Sequence, residues 1–287
     1  MVREFSLVER LFFLMCNRKN RAWGDRRKLL PKKERRQVQE KEWQKFWERI
    51  GEAPPDFKDR SVVDYGCGYG YDGLFMLEGG TKSLYSLDIE KVRLENSREL
   101  HDACGFTNVT YIDNNNVEEL VGKIGAGTVD IVFCRNAMEH VASPHGVLES
   151  IYTLLRPGGV AYIGFSGIFK SPYGAHISSK CKVPWVHLLF SEKTILSVFK
   201  KEYGLSKETR HYLDIPGSGV NKMSYYRYVK MLRSFDWKIE ALYANRFMKK
   251  PLLMKAMQVV TAVLPFKSLK ELFIINTYAK LVKSSVG

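Results

Sequence analysis

Cysteine is scarce in this chain of 287 residues, and no two of its five cysteines stand in a C-x-x-C pair. That pattern predicts neither a zinc cluster nor a disulfide framework, and a reducing, cytoplasmic setting fits it best. Long apolar runs are absent too, so the sequence predicts no helix that spans a bilayer. Glu4 and Glu9 interrupt the start of the chain, which argues against a signal peptide and against secretion.

Acidic residues are too few to balance the basic ones, and the formal net charge is +14. Residues 1–60 carry 17 basic and 10 acidic side chains, residues 61–167 carry 7 and 14, and residues 168–287 carry 21 and 7. An acidic centre between two basic flanks predicts that the centre is one module and that the flanks contact something anionic. A solvated, solubilising surface is the alternative.

The most informative stretch runs from residue 61 to residue 73 and reads SVVDYGCGYGYDG. Its β-branched start predicts a strand that ends at Asp64, and Gly66, Gly68 and Gly70 then follow at every second position. Glycines so placed permit positive φ angles and a close approach of the backbone to a ligand. A dinucleotide fingerprint reads G-x-G-x-x-G, whereas an acidic residue before the glycines suits a cationic group such as an amine. An ordinary glycine-rich turn is the alternative.

A second strand is predicted at residues 83–87, and Asp88 follows it directly. Asp88 stands 22 positions after Gly66, close to the spacing of about 20 residues at which an acidic side chain meets ribose hydroxyls. We therefore expect Asp88 to bind a ribose. A helix N-cap or a turn at the strand end is compatible with that role.

Two more strands are predicted at residues 109–112 and 129–133, and residues 154–165 are predicted to supply a helix end, a Pro-Gly-Gly turn and a fifth strand. Helical patterns separate them, and strands that alternate with helices predict a doubly wound parallel sheet of the α/β class. Residues 135–140 follow the fourth strand, at the carboxyl edge where open α/β sheets bind ligands.

The motifs stand in a recognisable order: D-x-G-x-G-x-G, Asp88, Asp113, N-x-x-E-H at residues 136–140, and R-P-G-G at residues 156–159. This order resembles the class I S-adenosylmethionine-dependent methyltransferases over residues 61–165. The resemblance implies a Rossmann-like fold with a seven-stranded sheet, methyl transfer as the activity and S-adenosylmethionine as the cofactor.

The resemblance also implies roles for single residues. Asp64, Gly66 and Gly68 would hold the methionine part of the cofactor, and Asp88 its ribose. Asp113, with the backbone of Asn114 beside it, would meet the adenine amino group, although an Asx turn is the alternative there. The expected cofactor contacts are Asp64, Tyr65, Gly66, Cys67, Gly68, Asp88, Ile89, Asp113, Asn114, Arg135 and Asn136.

The same resemblance divides the chain. Residues 1–60 are expected to form a basic helical extension, and residues 61–287 the methyltransferase domain with its cofactor core at 61–165. Insertions are expected at residues 166–222 and 244–270, as lids or binding surfaces.

The end of the chain is expected to complete the sheet. A helix is predicted at residues 225–235, and strands at 237–243 and 271–282 would close the sheet as an antiparallel hairpin.

Transfer of a methyl group to an alcohol needs a base, and the candidates are His140, His176 and His187. His140 is best placed, after the fourth strand, although capping a helix or packing against the cofactor is an equal alternative. Its Glu-His pair resembles the ubiquinone-type O-methyltransferases, in which a Glu-x-x-Glu-His cluster binds a divalent cation. Asn136 replaces the first glutamate here, so no metal is expected.

The acceptor is expected to be a small or glycan-like molecule, anionic and methylated on a hydroxyl. Trp185 would stack on a sugar while Lys180 and Lys182 meet an anion, or Trp185 would simply pack the lid onto the sheet. The segments P-W-x-H-L-L-F-S and E-L-F-x-x-x-x-Y-x-x-L resemble bacterial methyltransferases linked to the synthesis of cell-surface glycans.

Two other functions remain open on the sequence. The basic flanks favour an RNA methyltransferase as the second choice, and a catalytically silent cofactor-binding partner is the third. The apolar segment within residues 246–266 is expected to form a lid or a homodimer contact, with peripheral binding to an anionic membrane as the alternative.

Overall fold

A computed structural model describes residues 5–17, 32–113, 116–246 and 250–285 of the chain. Seven strands within these residues form one sheet in the order β3-β2-β1-β4-β5-β7-β6. The strands are β1 Ser61–Tyr65, β2 Ser83–Leu87, β3 Val109–Ile112, β4 Val129–Arg135, β5 Leu155–Ser166, β6 Trp237–Ala244 and β7 Asn276–Lys283.

The directions of the strands follow from their connections. β1 to β5 pair in parallel, which requires crossover connections that helices supply. β7 runs antiparallel to both β5 and β6. The doubly wound seven-stranded α/β fold expected from the sequence is confirmed.

Helices cover both faces of the sheet. Those in the described residues are α1 Leu7–Leu14, α2 Lys32–Ile50, α3 Tyr71–Glu78, α4 Lys91–Ala103, α5 Val117–Ile124, α6 Pro144–Leu154, α7 Val186–Leu189, α8 Glu192–Glu202, α9 Tyr225–Leu232, α10 Pro251–Val263 and α11 Lys267–Glu271.

Alternation along β4 separates the two layers of the core, because successive side chains of a strand point to opposite faces. Phe133 lies on the face covered by α2, where the rings of Trp43, Phe46 and Trp47 stand 4.6 to 5.7 Å from its ring. Val132 belongs to the other layer, which α5, α6 and α9 complete. Both faces are therefore covered, and the carboxyl ends of β1, β2 and β4 meet at one open edge.

The last strand begins later than the sequence predicts. It was expected from residue 271, but Glu271 ends α11 and β7 begins at Asn276. The carboxylate of Glu271 accepts the backbone N–H of Tyr226 at 3.0 Å and pairs with Lys170 at 2.8 Å. These contacts hold residue 271 outside the sheet, so the predicted boundary is wrong.

The Pro-Gly-Gly segment is also not a separate turn, because β5 already begins at Leu155. Leu155 pairs with Val129, and the register shifts before Ile131 pairs with Val160. The irregularity in this ladder accommodates Gly158, whose φ is 72°.

A second hydrophobic core joins the start of the chain to residues 166–222. The ring of Phe12 on α1 is fully buried and lies 5.3 Å from Phe190 and 5.7 Å from Phe199. Beside it, Lys201 donates to both carboxylate oxygens of Glu9, at 2.9 and 3.0 Å. Helix α1 is therefore packed on residues 166–222, the segment expected as the first insertion. The division of the chain at residue 60 stays a prediction.

Two cysteines that are far apart in the sequence meet where α1 ends. An antiparallel bridge pairs Cys16 with Cys181, and the N–H of Asn17 donates to the carbonyl of Lys180 at 2.6 Å. Both thiols are buried and neither is in a disulfide. Residues paired in this way have Cα atoms about 4.5 to 5.5 Å apart, within the range that a disulfide needs.

We expect a mild oxidant, copper phenanthroline, to cross-link Cys16 and Cys181 in the folded protein, because the two thiols face each other across the bridge. The test uses a Cys104→Ser background, since Cys104 is exposed. A faster band on a non-reducing gel and mass mapping of the linked peptides would identify the bond. The matched control is Cys16→Ser, and a folded protein that forms no such link would contradict the docking of α1.

Candidate active site

The loop after β1 forms the floor of a cleft at the carboxyl edge of the sheet. Gly66 and Gly68 have φ angles of 78° and 54°, in the left-handed region that favours glycine. A side chain at Gly66 would collide with Ala137, whereas no described atom lies within 4 Å of the place where a side chain at Gly68 would begin. The backbone at Gly68 is therefore open to a ligand.

The cleft has a volume of about 560 Å³, within the range of about 300 to 1,000 Å³ of small-molecule sites. Five stretches of the chain meet there. The walls are formed by Gln39, residues 65–69, 71–72, 87–90 and 93, residues 135–137 and 140–141, and residues 213 and 215–219.

Asp88 lies in the cleft wall directly after β2. One of its carboxylate oxygens accepts the N–H of Gly68 at 3.0 Å and the other accepts the N–H of Glu90 at 2.9 Å. Burial raises the pKa of this carboxyl, which these backbone hydrogen bonds and nearby Arg93 oppose. Ile89, beside it, is 59% exposed and also lines the cleft.

An ion pair forms another part of the wall. Arg135 binds both carboxylate oxygens of Asp72, at 2.7 and 2.8 Å, and also donates to Gln39 at 3.2 Å. Asn136, next to Arg135, adopts a left-handed φ of 51°, and its N–H donates to the carbonyl of Gly164 at 2.8 Å. Gln39 and Asp72 were missed in the sequence, although Asp72 stands in the first turn of the helix that the glycine loop feeds.

Asp64 lies outside the cleft wall, below the loop. It is 2% exposed, and both burial and the neighbouring Asp72 raise the pKa of its carboxyl. In α3, Gly73 packs against this carboxylate. The structure thus brings Tyr65, Gly66, Cys67 and Gly68 to the cleft but leaves Asp64 beneath them.

Asp113 also lies away from the cleft. Its carboxylate is exposed and stands 3.5 Å from the ammonium of Lys91, in a separate groove that Arg98 and Tyr111 help to line. β3 is the edge strand of the sheet, and its end is correspondingly farther from the loop after β1. Asn114, the other residue expected at the adenine, lies outside the described residues.

His140 is the candidate base that reaches the cleft wall. Its Nδ1 is hydrogen-bonded to the carbonyl of Gly219, and burial lowers the pKa of its imidazole. His176 lies beside it, with the ring centroids 5.4 Å apart. Burial and the proximity of His140 lower the pKa of His176 to about 4.

His187 is not brought to this pair. It is 5% exposed, and its Nε2 bonds the carbonyl of Phe169 at 2.6 Å. Trp185, the expected sugar platform, lies 5.7 Å from Phe273 and donates its indole N–H to the carbonyl of Leu272 at 3.1 Å. Lys180 is 1% exposed. These contacts favour the alternative in which Trp185 packs the lid, the segment 166–222, onto the rest of the protein.

A buried acid and an amide complete the surroundings of His140. Burial raises the pKa of Glu139 to about 8, and its carboxylate oxygen stands 3.8 Å from Nε2 of His140. Asn221 donates its side-chain amide to the carbonyls of Met138 at 2.7 Å and Val141 at 2.8 Å. No sequence signal linked Asn221 to this turn. Within the described ranges, no group of three or more His, Cys, Asp or Glu side chains is arranged to hold a metal.

Comparison with known proteins identifies the family to which this chain belongs. Residues 56–207 match the family model described as a methyltransferase domain. The chain belongs to the methyltransferase domain family. It is a class I S-adenosylmethionine-dependent methyltransferase, and S-adenosylmethionine is its cofactor. The family, the enzyme class and the cofactor expected from the sequence are confirmed.

Two curated relatives indicate the range of acceptors in similar proteins. The ubiquinone biosynthesis O-methyltransferase of Vibrio parahaemolyticus is 37% identical over 35% of this chain and 41% of its own length. The tRNA U34 carboxymethyltransferase of Desulfotalea psychrophila is 25% identical over 51% of this chain and 50% of its own length. The chain thus spans half or less of the length of these relatives.

Solved structures share the fold at low identity. A methyltransferase from Listeria monocytogenes has a TM-score of 0.53 at 15% identity, over 85% of this chain and all of its own. The phosphoethanolamine N-methyltransferase 2 of Haemonchus contortus, solved with S-adenosyl-L-methionine, has a TM-score of 0.52 at 14% identity. It is matched over 85% of this chain and 53% of its own.

We expect Asp88→Asn to weaken binding of S-adenosylhomocysteine by about tenfold to a hundredfold, because a hydrogen bond to a charged group contributes about 1.5 to 3 kcal/mol. Isothermal calorimetry measures the change. Asp113→Asn is the matched control, since it also follows a strand end but lies outside the cleft. Equal losses in both variants would contradict the placement of the cofactor site, and circular dichroism would check that each variant is folded.

Proposed function

We propose that the protein transfers the methyl group of S-adenosylmethionine to a hydroxyl of a small or glycan-like acceptor. The observation that carries the proposal is the hydrogen bond between Nδ1 of His140 and the carbonyl of Gly219 at the cleft wall. The curated relative named as an O-methyltransferase supports the same kind of acceptor atom. The net charge of +14 favours an anionic acceptor.

His140 has the protonation state that a general base needs. A carbonyl oxygen only accepts hydrogen bonds, so the bond to Gly219 requires the proton on Nδ1 and leaves the lone pair on Nε2. Burial lowers the pKa of the ring and keeps it neutral at neutral pH. Nε2 therefore can take the hydroxyl proton while the acceptor oxygen attacks.

The walls of the cleft fit the cofactor. The open backbone at Gly68 admits a close approach, and Asp88 offers carboxylate oxygens to ribose hydroxyls. S-adenosylmethionine supplies an electrophilic methyl group, so the chain itself has to align the acceptor, exclude water and accept one proton. Residues 213–219, which roof the cleft, supply part of that enclosure.

RNA methylation is the second candidate. A relative named as a tRNA carboxymethyltransferase and the basic flanks of the chain favour it. The two candidates differ in the class of molecule that receives a labelled methyl group.

We expect radiolabel from S-adenosylmethionine to enter hydroxyl-bearing small molecules or glycans when the protein is incubated with fractionated cell extract. The His140→Ala variant should transfer label about a hundredfold to ten-thousandfold more slowly, the usual effect of losing a general base, while calorimetry shows unchanged binding of S-adenosylhomocysteine. Label in RNA would support the second candidate. Absence of label in every fraction, or full activity of His140→Ala, would contradict the proposal.

We expect the rate of methyl transfer to fall tenfold per pH unit well below pH 6.5. The pKa of His140 is lowered from the ordinary value of 6.5, so protonation of the base begins only on the acid side of that value. A pH–rate profile with saturating cofactor measures it. A rate that falls between pH 8 and pH 7 would assign the titrating group to another residue.

A further inference from the structure

α10 is an apolar helix that the rest of the described chain covers only in part. None of its described side chains is buried. Leu252, Val259 and Val263 are 82%, 59% and 72% exposed, and their spacing of seven and four residues places them in one stripe along the helix. Isolated helices of fewer than about 12 to 15 residues are marginal in water. A helix with such an exposed stripe therefore needs an apolar partner or phase against the stripe to be stable.

Three other helices also carry exposed apolar residues. Trp185, which precedes α7, contacts the end of α11 through its bond to Leu272, and Phe190, which follows α7, contacts Phe12 of α1. α7 therefore lies between α11 and α1. The exposed apolar residues on these elements are Leu7, Val8, Leu11 and Leu14 of α1, Leu188 and Leu189 of α7, and Phe266 and Leu269 at α11.

We call this surface on α1, α7, α10 and α11 the apolar face, and strong positive charge accompanies it. Residues 244–270 contain six lysines and arginines and no acidic residue. Lys255 stands on α10 beside the stripe, and Lys267 and Lys270 stand on α11. An occupant of the apolar face must therefore be both apolar and anionic.

A second copy of the chain meets only the first of these demands. In a two-fold symmetric dimer the same patch faces itself, so Lys255, Lys267 and Lys270 would oppose their own copies. Like charges placed opposite each other are destabilising, which argues against a homodimer through this surface.

A lipid bilayer with anionic headgroups meets both demands. Amphipathic helices with basic flanks lie in the headgroup region with their apolar side inserted. None of the helices in the described part of the chain combines the length and hydropathy that crossing a bilayer requires. We propose that the apolar face binds the surface of an anionic membrane, with α10 lying in its interface.

Binding of the full chain to vesicles by co-sedimentation tests the proposal. Vesicles of equal parts phosphatidylglycerol and phosphatidylcholine should bind the protein, and pure phosphatidylcholine vesicles should bind it much less. Each basic residue near an anionic surface contributes about 1 kcal/mol, roughly fivefold. The triple variant Lys250→Glu, Lys255→Glu, Lys270→Glu should therefore bind on the order of 100-fold more weakly. Added salt should weaken binding of the wild type.

A second variant separates insertion from charge. Leu252→Ser, Val259→Ser and Val263→Ser together should abolish vesicle binding without unfolding the protein, because these side chains are exposed. Lys82→Glu with Val92→Ser is the matched control, an exposed charge and an exposed apolar residue elsewhere on the surface. Control binding should equal that of the wild type.

Three results would overturn the proposal. The first is no sedimentation with anionic vesicles, and the second is wild-type binding by the serine variant. The third is a wild-type dimer in analytical ultracentrifugation that the serine variant converts to a monomer without any vesicle binding. None of these results depends on the identity of the acceptor. Binding of S-adenosylhomocysteine should be unaffected in every variant, so a failure of the membrane proposal can be told apart from a failure of the proposed function.

Discussion

The candidate site depends on the hydrogen bonds that Asn221 makes to the turn after β4. Its amide holds the carbonyls of Met138 and Val141, and its own N–H donates to the carbonyl of Glu139 at 2.9 Å. That turn carries His140, and the roof of the cleft at residues 213–219 comes immediately before Asn221. The position of His140 and the position of residues 213–219 are thus linked by one residue.

This arrangement explains how a surface segment can define a site at the edge of a sheet. Loops that carry function are usually positioned by a rigid scaffold, and here β4 and β5 supply it through the bond from Asn136 to Gly164. Gly219 then fixes the tautomer of His140 from the opposite side. One side of the cleft comes from the loops after β1, β2 and β4, and the other comes from residues 213 and 215–219.

The sequence was sufficient where the information is local. Glycine spacing predicted the loop after β1, and the position of Asp88 predicted a carboxylate in the same cleft. Local spacing does not determine which way a strand-end side chain points, so Asp64 lies below the loop while Asp72, eight positions later, lines the cleft. Asp113 lies away from the cleft for a related reason, because nothing in its own strand reveals that β3 is the edge of the sheet. Its role at the adenine stays a prediction.

Contacts between distant segments have no recognisable pattern in the amino-acid sequence. Asn221 lies 80 positions or more from the carbonyls that it binds, and Cys16 and Cys181 share no motif spacing. Glu271 was predicted to be the first residue of the last strand. Its bonds to Tyr226 and Lys170, which keep it outside the sheet, cannot be inferred from composition. Fold and cofactor edge were therefore predictable, while the packing of the two insertions was not.

The shared core of α1 and residues 166–222 has a consequence for synthesis on the ribosome. Phe12 packs against Phe190 and Phe199, which are translated about 10 to 40 seconds later at ordinary rates of 5 to 20 residues per second. Through that interval the apolar side of α1 has no partner in the nascent chain. Helix α1 thus reaches these native contacts only after Phe190 and Phe199 have been translated.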